Sequence, residues 1–501
     1  MKFNIGRMMG YRAYLSPDRE GSIGDGYRYS FSEANARANQ LADYLKEQGI
    51  GGGDRVAILC KNNEHVGTTL FAAGKIGAIA VMLNWRLQVA ELEYILRDCT
   101  PSCLVYDAEF SDAIQALRTN IPIRNFIRKG SDGSDIEFEE ALKGRSAVDP
   151  ECSAGGDDPA IIMYTSGTTG KPKGAVLTHD NLFWSSTAIS HTIEWNYDHR
   201  FLSIAPLFHI GGLAPLITNV HKGSTTFFMP NFDPVAVWNT IATERITTMM
   251  SVPLMLQAML MVAKARTVDA SSLKTITCGA SSVPESLIRA YLDMGVKVQQ
   301  VYGITEYSGA VTFWTHDMPL EKSNSQGKPV FHGDLKIVDP QSGVPLPTGE
   351  VGEILCKGPM VFKEYWDNPE ATRAAFVDGW YRSGDLGRVD TEGFFYVVDR
   401  LKDMIISGGE NIYPAELEAV ICMCPGVAET AVVGLPDSRW GEIPVAYVVV
   451  KPDQQVSAED IMNVCKQRLA SYKCVKDVRF VDALPKNPVG KVLKTALRDG
   501  N

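Results

Sequence analysis

Several features are missing from this 501-residue sequence, and each absence excludes something. No stretch approaches the roughly 18 consecutive apolar residues that a membrane-spanning helix requires. The opening residues Met1–Gly10 carry Lys2 and Arg7 but no apolar run of signal-peptide length, so a cytoplasmic protein is expected. Positive charge is not in excess: 49 Lys and Arg stand against 59 Asp and Glu, a net charge of -10. That balance excludes a sequence-independent grip on nucleic acid, which needs clustered cations to neutralise phosphates. An anionic substrate must instead meet a local positive site. The 10 cysteines form no CxxC pair. Cys422 and Cys424 flank Met423, and Cys99 stands four residues before Cys103, but neither pair has further Cys or His at zinc-ligand spacing. Buried free thiols in a reducing compartment are expected. Internal repeats and low-complexity segments are absent too.

What is present is the composition of a globular enzyme, 45% hydrophobic and 22% charged, in a chain too long for one core. Ser30, Ser32 and Glu33 precede an amphipathic run through Leu45, which predicts a capped helix closed by Gly51-Gly52-Gly53-Asp54. Val56–Leu59 is apolar on both faces, as in a buried parallel strand, and Ala78–Val81 predicts another. This alternation implies a layered α/β domain, and it continues through residues 200–300. Pro345, Pro347, Gly349 and Gly352 introduce a β-rich region with strands near 352–356 and 394–398. The last hundred residues predict helices at 414–421 and 458–469 and strands at 430–433 and 445–450. The boundary is placed near Arg400–Asp403. The fold class is therefore α/β: a large N-terminal domain, 1–400, of layered α/β subdomains plus a β-rich subdomain, and a small C-terminal α+β domain, 401–501.

The most informative segment runs from Tyr164 to Gly174, with the apolar strands Ala160–Met163 before it and Ala175–Leu177 after it. Gly167, Gly170 and Gly174 allow backbone N–H groups to converge as an anion nest. Thr165, Ser166, Thr168 and Thr169 add hydroxyl donors, and Lys171 and Lys173 add mobile positive charge. This chemistry suits a triphosphate. It is not a Walker A loop, because Pro172 follows Lys171 and a strand, not a helix, comes next. A hairpin that was merely flexible would not need this density of hydroxyls and lysines.

The loop resembles the signature of the adenylate-forming superfamily, which comprises acyl-CoA synthetases, peptide-synthetase adenylation domains and beetle luciferases. The resemblance covers essentially the whole chain. The run Pro206–Gly212 contains His209, which the resemblance places beside the acyl pocket and the carboxylate. Thr277–Ser281 resembles the family's adenine-side segment, implicating Gly279, Ala280 and Ser281. Val301–Glu306 offers Tyr302 as an aromatic face for adenine, Gly303, the Thr305 hydroxyl for phosphate, and the Glu306 carboxylate for Mg²⁺. Asp385, in Trp380–Leu386, is implied to hold the ribose hydroxyls. Arg400 is implied to contact the nucleotide, with Lys402 two places later as the hinge. Gly408 and Gly409 would line the coenzyme A tunnel. Lys491, in the loop Leu484–Lys494, would reach the carboxylate and the α-phosphate.

Together these imply an AMP-forming acid–thiol ligase using ATP, Mg²⁺ and coenzyme A. The metal would be held through Thr165 and Glu306, and Lys491, His209 and Glu306 would be catalytic. A mobile small domain pivoting on Lys402 would serve two half-reactions, and a homodimer is a family-level expectation. The segments 209–213, 249–253, 278–280 and 302–310 are expected to line the acid pocket. They contain no Arg or Lys, and Gly303, Gly309 and Ala310 would leave room, so a medium- or long-chain fatty acid is expected. The alternatives are an aromatic or alicyclic acid, or a free-standing adenylation enzyme that loads a carrier protein. A nucleotide-binding regulatory protein without turnover would have no use for Lys491, Glu306 and Thr165 together.

Overall fold

The structure is a computed structural model that describes residues 2–131, 133–166, 172–281, 283–407, 410–469, 471–486 and 492–498. It leaves out the side chains of Ser166 and Tyr472. The chain packs as two compact units. One comprises residues 1–335 and 356–381, the other 336–355 and 382–501. The sequence puts its boundary near residue 400, whereas by compactness 382–400 group with the C-terminal residues.

The first unit contains two large sheets. In one, eight strands run in the order Glu364–Tyr365, Pro172–Thr178, Pro159–Ser166, Ile79–Met82, Arg55–Leu59, Cys103–Asp107, Asn125–Lys129 and Ile136–Glu137. Pairings from Pro159–Ser166 to Ile136–Glu137 are parallel, and the other two are antiparallel. Val56, Ala57, Ile58 and Leu59 are all at most 1% exposed, so both faces of that strand are covered, as its unbroken apolar run requires. The other sheet has nine strands. Its central run, from Thr225–Phe228 through Arg200–Ser203, Thr248–Ser251 and Thr275–Cys278 to Lys297–Ile304, is parallel. Parallel strands end together at their carboxyl edge, where open α/β sheets bind ligands.

Local signals account for the element ends. The helix Phe31–Glu47 begins with a reciprocal capping box: Glu33 N donates to Ser30 Oγ at 3.2 Å, and Ser30 N donates to Glu33 Oε2 at 2.8 Å. Gly212 sits in the first turn of the helix Ile210–Lys222, where a Cβ would stand 2.3 Å from the Pro206 carbonyl. Only glycine lets that turn close on the loop before it.

In the second unit, residues 382–389 of the strand Trp380–Val389 pair antiparallel with Phe395–Arg400. A further sheet has the order Glu410–Ile412, Ile405–Ser407, Gly441–Val450, Val427–Asp437, with Asp477–Phe480 beside Gly441–Val450. The helix Pro414–Ile421 matches its predicted bounds, and Ala458–Arg468 ends one residue early. Among the described residues no helix is long and apolar enough to cross a membrane. All ten cysteines are free, and eight are buried, with Cys152 half-buried and Cys422 exposed.

Candidate functional site

The loop 164–174 joins two strands as its sequence predicts. Thr165 pairs with Lys173 and Ser166 with Pro172 in an antiparallel hairpin. The turn itself, with Gly167, Thr168, Thr169, Gly170 and Lys171, lies outside the described residues, as do Gly408, Gly409 and Lys491.

At the hairpin base Thr165 Oγ1 donates to Glu306 Oε1 at 3.2 Å, joining residues 141 apart in sequence. Both expected metal-holding side chains are thus brought together. Glu306 lies on a short 3₁₀ turn, Thr305–Tyr307, directly after the strand Lys297–Ile304. Its carboxylate is buried and also accepts from Tyr365 Oη at 2.9 Å. Tyr365 belongs to a two-residue strand that pairs with Val176 and Ala175 on the hairpin. The Lys173 ammonium stands 5.2 Å from its ring centroid. Burial, with the charge of Glu306 second, pushes the Tyr365 phenol well above its usual range, so it remains a donor. Nothing in the sequence marked Tyr365; a two-residue edge strand carries too little pattern.

Tyr302 and Gly303 flank a bulge in the pairing with Gly309–Trp314. A Cβ on Gly303 would stand 2.6 Å from the Gly309 carbonyl. Gly303 therefore serves the close approach of two backbones and does not open space for a ligand, contrary to the expectation of room there. Gly279 ends the neighbouring strand, its N–H donating to Ser251 O at 3.2 Å. Ala280 follows in a left-handed conformation, φ 69°, and Ala280 and Ser281 are exposed at this carboxyl edge. Thr305 is half-buried beside Glu306.

His209 is the N-cap of the helix Ile210–Lys222, but its side chain makes no capping bond. Its Nε2 is buried with no partner among the described residues. Burial lowers its pKa to about 4, and the positive charge of Arg86 adds to the effect, so the ring is neutral at physiological pH. Arg86 itself was missed by reading the expected pocket segments alone. Its guanidinium stacks over the rings of Trp85 at 4.6 Å and Phe208 at 5.7 Å.

In the second unit the register aligns Asp385 with Arg400 on neighbouring strands. Arg400 Nε lies 3.3 Å from Asp385 Oδ1, so two expected nucleotide contacts are held as one pair. Ser383 Oγ fixes the approach by accepting from Asp385 N at 3.1 Å. Burial lowers the Lys402 pKa, with repulsion from Arg400 second. The loop that carries Lys491 is bracketed by a bridge between Lys486 and Val492.

A family model described as AMP-binding enzyme matches residues 10–366, and one described as AMP-binding enzyme C-terminal domain matches 416–491. The chain is 41% identical to a long-chain-fatty-acid–CoA ligase (FadD13) of Mycobacterium tuberculosis over 99% of its length and 98% of the relative. It is also 41% identical to a feruloyl-CoA synthase of an Amycolatopsis species, over 97% of each chain. The solved structure of O-succinylbenzoate coenzyme A synthetase (MenE) from Bacillus subtilis, in complex with ATP and magnesium ion, superimposes with a TM-score of 0.88. That match is at 34% identity and covers 98% of this chain and 99% of the other. The chain therefore belongs to the AMP-binding, adenylate-forming enzymes and is an AMP-forming carboxylate–CoA ligase.

Proposed function

We propose that the acid activated is a medium- or long-chain fatty acid, converted through its acyl-adenylate to the coenzyme A thioester. In the first half-reaction the carboxylate oxygen would attack the α-phosphorus of ATP and pyrophosphate would leave. Both reactants are anionic, so the barrier is largely repulsion and positioning. The residues present fit a hard cation at the hairpin base: a carboxylate and a hydroxyl, Glu306 and Thr165, meet at 3.2 Å. Mg²⁺ held there would offset charge on the phosphate oxygens. Lys173 and the hydroxyls of the hairpin would hold the triphosphate, and Lys491 would orient carboxylate and α-phosphate. In the second half-reaction the thiolate of coenzyme A would attack the acyl carbon and AMP would leave. Gly408 and Gly409 would admit the thiol arm, and Lys402 would be the pivot.

The meeting of Thr165 and Glu306 carries the reaction. The acid rests on the apolar surroundings of His209, where Phe208 and Ile210 are buried. Met250 also reaches the helix start: its methyl lies 3.2 Å from where a Cβ on Gly211 would stand. A neutral imidazole among such groups suits an uncharged tail. The relative active on fatty acids and the one named for feruloyl-CoA are equally similar. The rings of Trp85 and Phe208, with centroids 5.9 Å apart and edge to face, favour an aromatic acid as the second reading.

Purified protein given Mg²⁺, ATP and coenzyme A should be tested against octanoate, palmitate, ferulate and benzoate, scoring pyrophosphate, AMP and thioester. Equal release of AMP and pyrophosphate, with the highest kcat/KM for an aliphatic acid, is expected. A clear preference for ferulate or benzoate would replace the fatty-acid assignment. Discharge of the adenylate to a holo-carrier protein but not to coenzyme A would remove the assigned acceptor.

A further inference from the structure

The strands Arg55–Leu59 and Cys103–Asp107 are parallel neighbours, and Leu59 lies opposite Tyr106. One step further along each chain, Cys60 and Asp107 emerge together at the carboxyl edge. After a four-residue loop, His65 opens the second position of the helix Glu64–Lys75 and turns back toward both. One ligand atom from each of Cys60, His65 and Asp107 lies within 4.8 Å of the others. Cys60 is 6% exposed and His65 1%.

Three details show a built arrangement. His65 Nε2 lies 2.7 Å from Asp107 Oδ1. The other carboxylate oxygen, Oδ2, accepts from the Lys61 backbone N–H at 2.7 Å, which fixes the plane of the carboxylate. His65 Nδ1 is buried with no hydrogen-bond partner among the described residues. A buried imidazole usually uses both nitrogens, so this one is under-satisfied. The Cys60 thiol makes only a long contact, 3.7 Å, to the Val105 carbonyl. Its surroundings hold it protonated: burial first, then the charge of Asp107, raise its pKa well above the usual thiol value. Without a cation, a thiol and a carboxylate face each other in a buried space at a cost. With one, the two negative charges and a neutral imidazole become a matched set.

We propose that Cys60, His65 and Asp107 form a binding site for one zinc-class divalent cation, with water completing the coordination. The donor set selects this class. Sulfur and imidazole nitrogen suit zinc, whereas Mg²⁺ and Ca²⁺ take oxygen ligands. Bond lengths of about 2.0–2.3 Å put tetrahedral ligand atoms about 3.3–3.7 Å apart, so small side-chain rotations close the observed spread. Binding releases the Cys60 proton to solvent and replaces the direct contact between His65 and Asp107. The cation would tie both ends of the loop 61–64. That loop carries Asn62, whose side chain donates to Ser203 O and Ala205 O and accepts from Leu207 N, just ahead of His209. None of the three ligands belongs to the Thr165–Glu306 constellation.

Cobalt(II) tests this directly, because a thiolate bound to it gives a near-ultraviolet charge-transfer band. The full-length protein would be titrated with cobalt in excess Mg²⁺, which keeps oxygen-ligand sites filled. Expected is a band saturating at one cobalt per chain and displaced by zinc. Cys60→Ser should abolish it, Asp107→Asn should weaken cobalt binding by at least about tenfold, and Cys422→Ser, at the exposed thiol, should leave it unchanged. Circular dichroism of each variant separates loss of ligand from loss of fold. Absence of a band in the wild-type protein at stoichiometric cobalt would overturn the proposal. So would a band that survives in folded Cys60→Ser or vanishes in Cys422→Ser.

Discussion

Glu306 places two hydroxyl donors, Thr165 and Tyr365, on the same carboxylate oxygen. The Tyr365 phenol stays protonated, so it can orient that oxygen but not neutralise a cation. The two residues should therefore fail differently. Tyr365→Phe removes an orienting bond beside an expected metal ligand, which typically weakens metal affinity about 10–100-fold. The Mg²⁺ concentration giving half-maximal pyrophosphate release should rise by that factor, while kcat at saturating Mg²⁺ is largely kept. Glu306→Gln removes the charge itself, and kcat should fall about 10²–10³-fold at any Mg²⁺ concentration. Steady-state rates across a Mg²⁺ series distinguish the two. A Tyr365→Phe variant with an unchanged Mg²⁺ requirement would show that the phenol serves packing alone.

Elements in this chain begin and end where short-range chemistry dictates, and those parts were legible. The capping box at Ser30, the helix Pro414–Ile421 with Pro at its first position, and the hairpin strands around 164–174 all follow from residues within a few places of one another. Contacts set by strand register were not legible. Asp385 and Arg400 were both singled out, yet their pairing depends on a bulge between Leu386 and Gly387 that no local pattern marks. Cys60, His65 and Asp107 meet because a parallel crossover spans 42 residues, so cysteine spacing could not reveal them. Asp399 is another such case, read only as part of a charged run. Its Oδ2 accepts from Ala415 N at 2.8 Å, in the first turn of the helix Pro414–Ile421, while Oδ1 accepts from Arg400 N at 2.7 Å. A remote carboxylate thus does the work of an N-cap, which Tyr413 does not do with its side chain. Asp399→Ala should destabilise the second unit by about 0.5–2 kcal/mol, read from the shift of its urea midpoint, and Asp399→Asn by less. Equal losses would show that charge, not hydrogen bonding, is what the helix start uses.

Across the molecule, acid sensitivity is concentrated in three buried histidines of the first unit. His179, His209 and His221 each have a pKa lowered to about 4, with burial the first cause in every case. Around His221 the charges of Lys222, Arg12 and His191 push the same way. Arg86 does so at His209, while Asp158 partly opposes the shift at His179. The geometry gives protonation a mechanical consequence. Nδ1 of His179 accepts from the Ile5 N–H at 3.2 Å, so a proton there breaks the tie that holds the start of the N-terminal helix. His221 Nδ1 lies 2.9 Å from Ser186 Oγ on a neighbouring helix. Because the folded pKa values lie below the unfolded value near 6.5, the unfolded chain binds more protons between them. The stabilisation is fully present above about pH 6.5 and is lost as pH falls toward 4. Each histidine contributes a slope of at most about 1.4 kcal/mol per pH unit over that window. Urea midpoints of the first unit measured from pH 7.5 to pH 4.5 should therefore fall steadily with acidification. His179→Gln, whose amide accepts the Ile5 N–H but does not titrate, should flatten the slope by up to one group's share. A slope unchanged in His179→Gln would mean that the proton uptake occurs elsewhere.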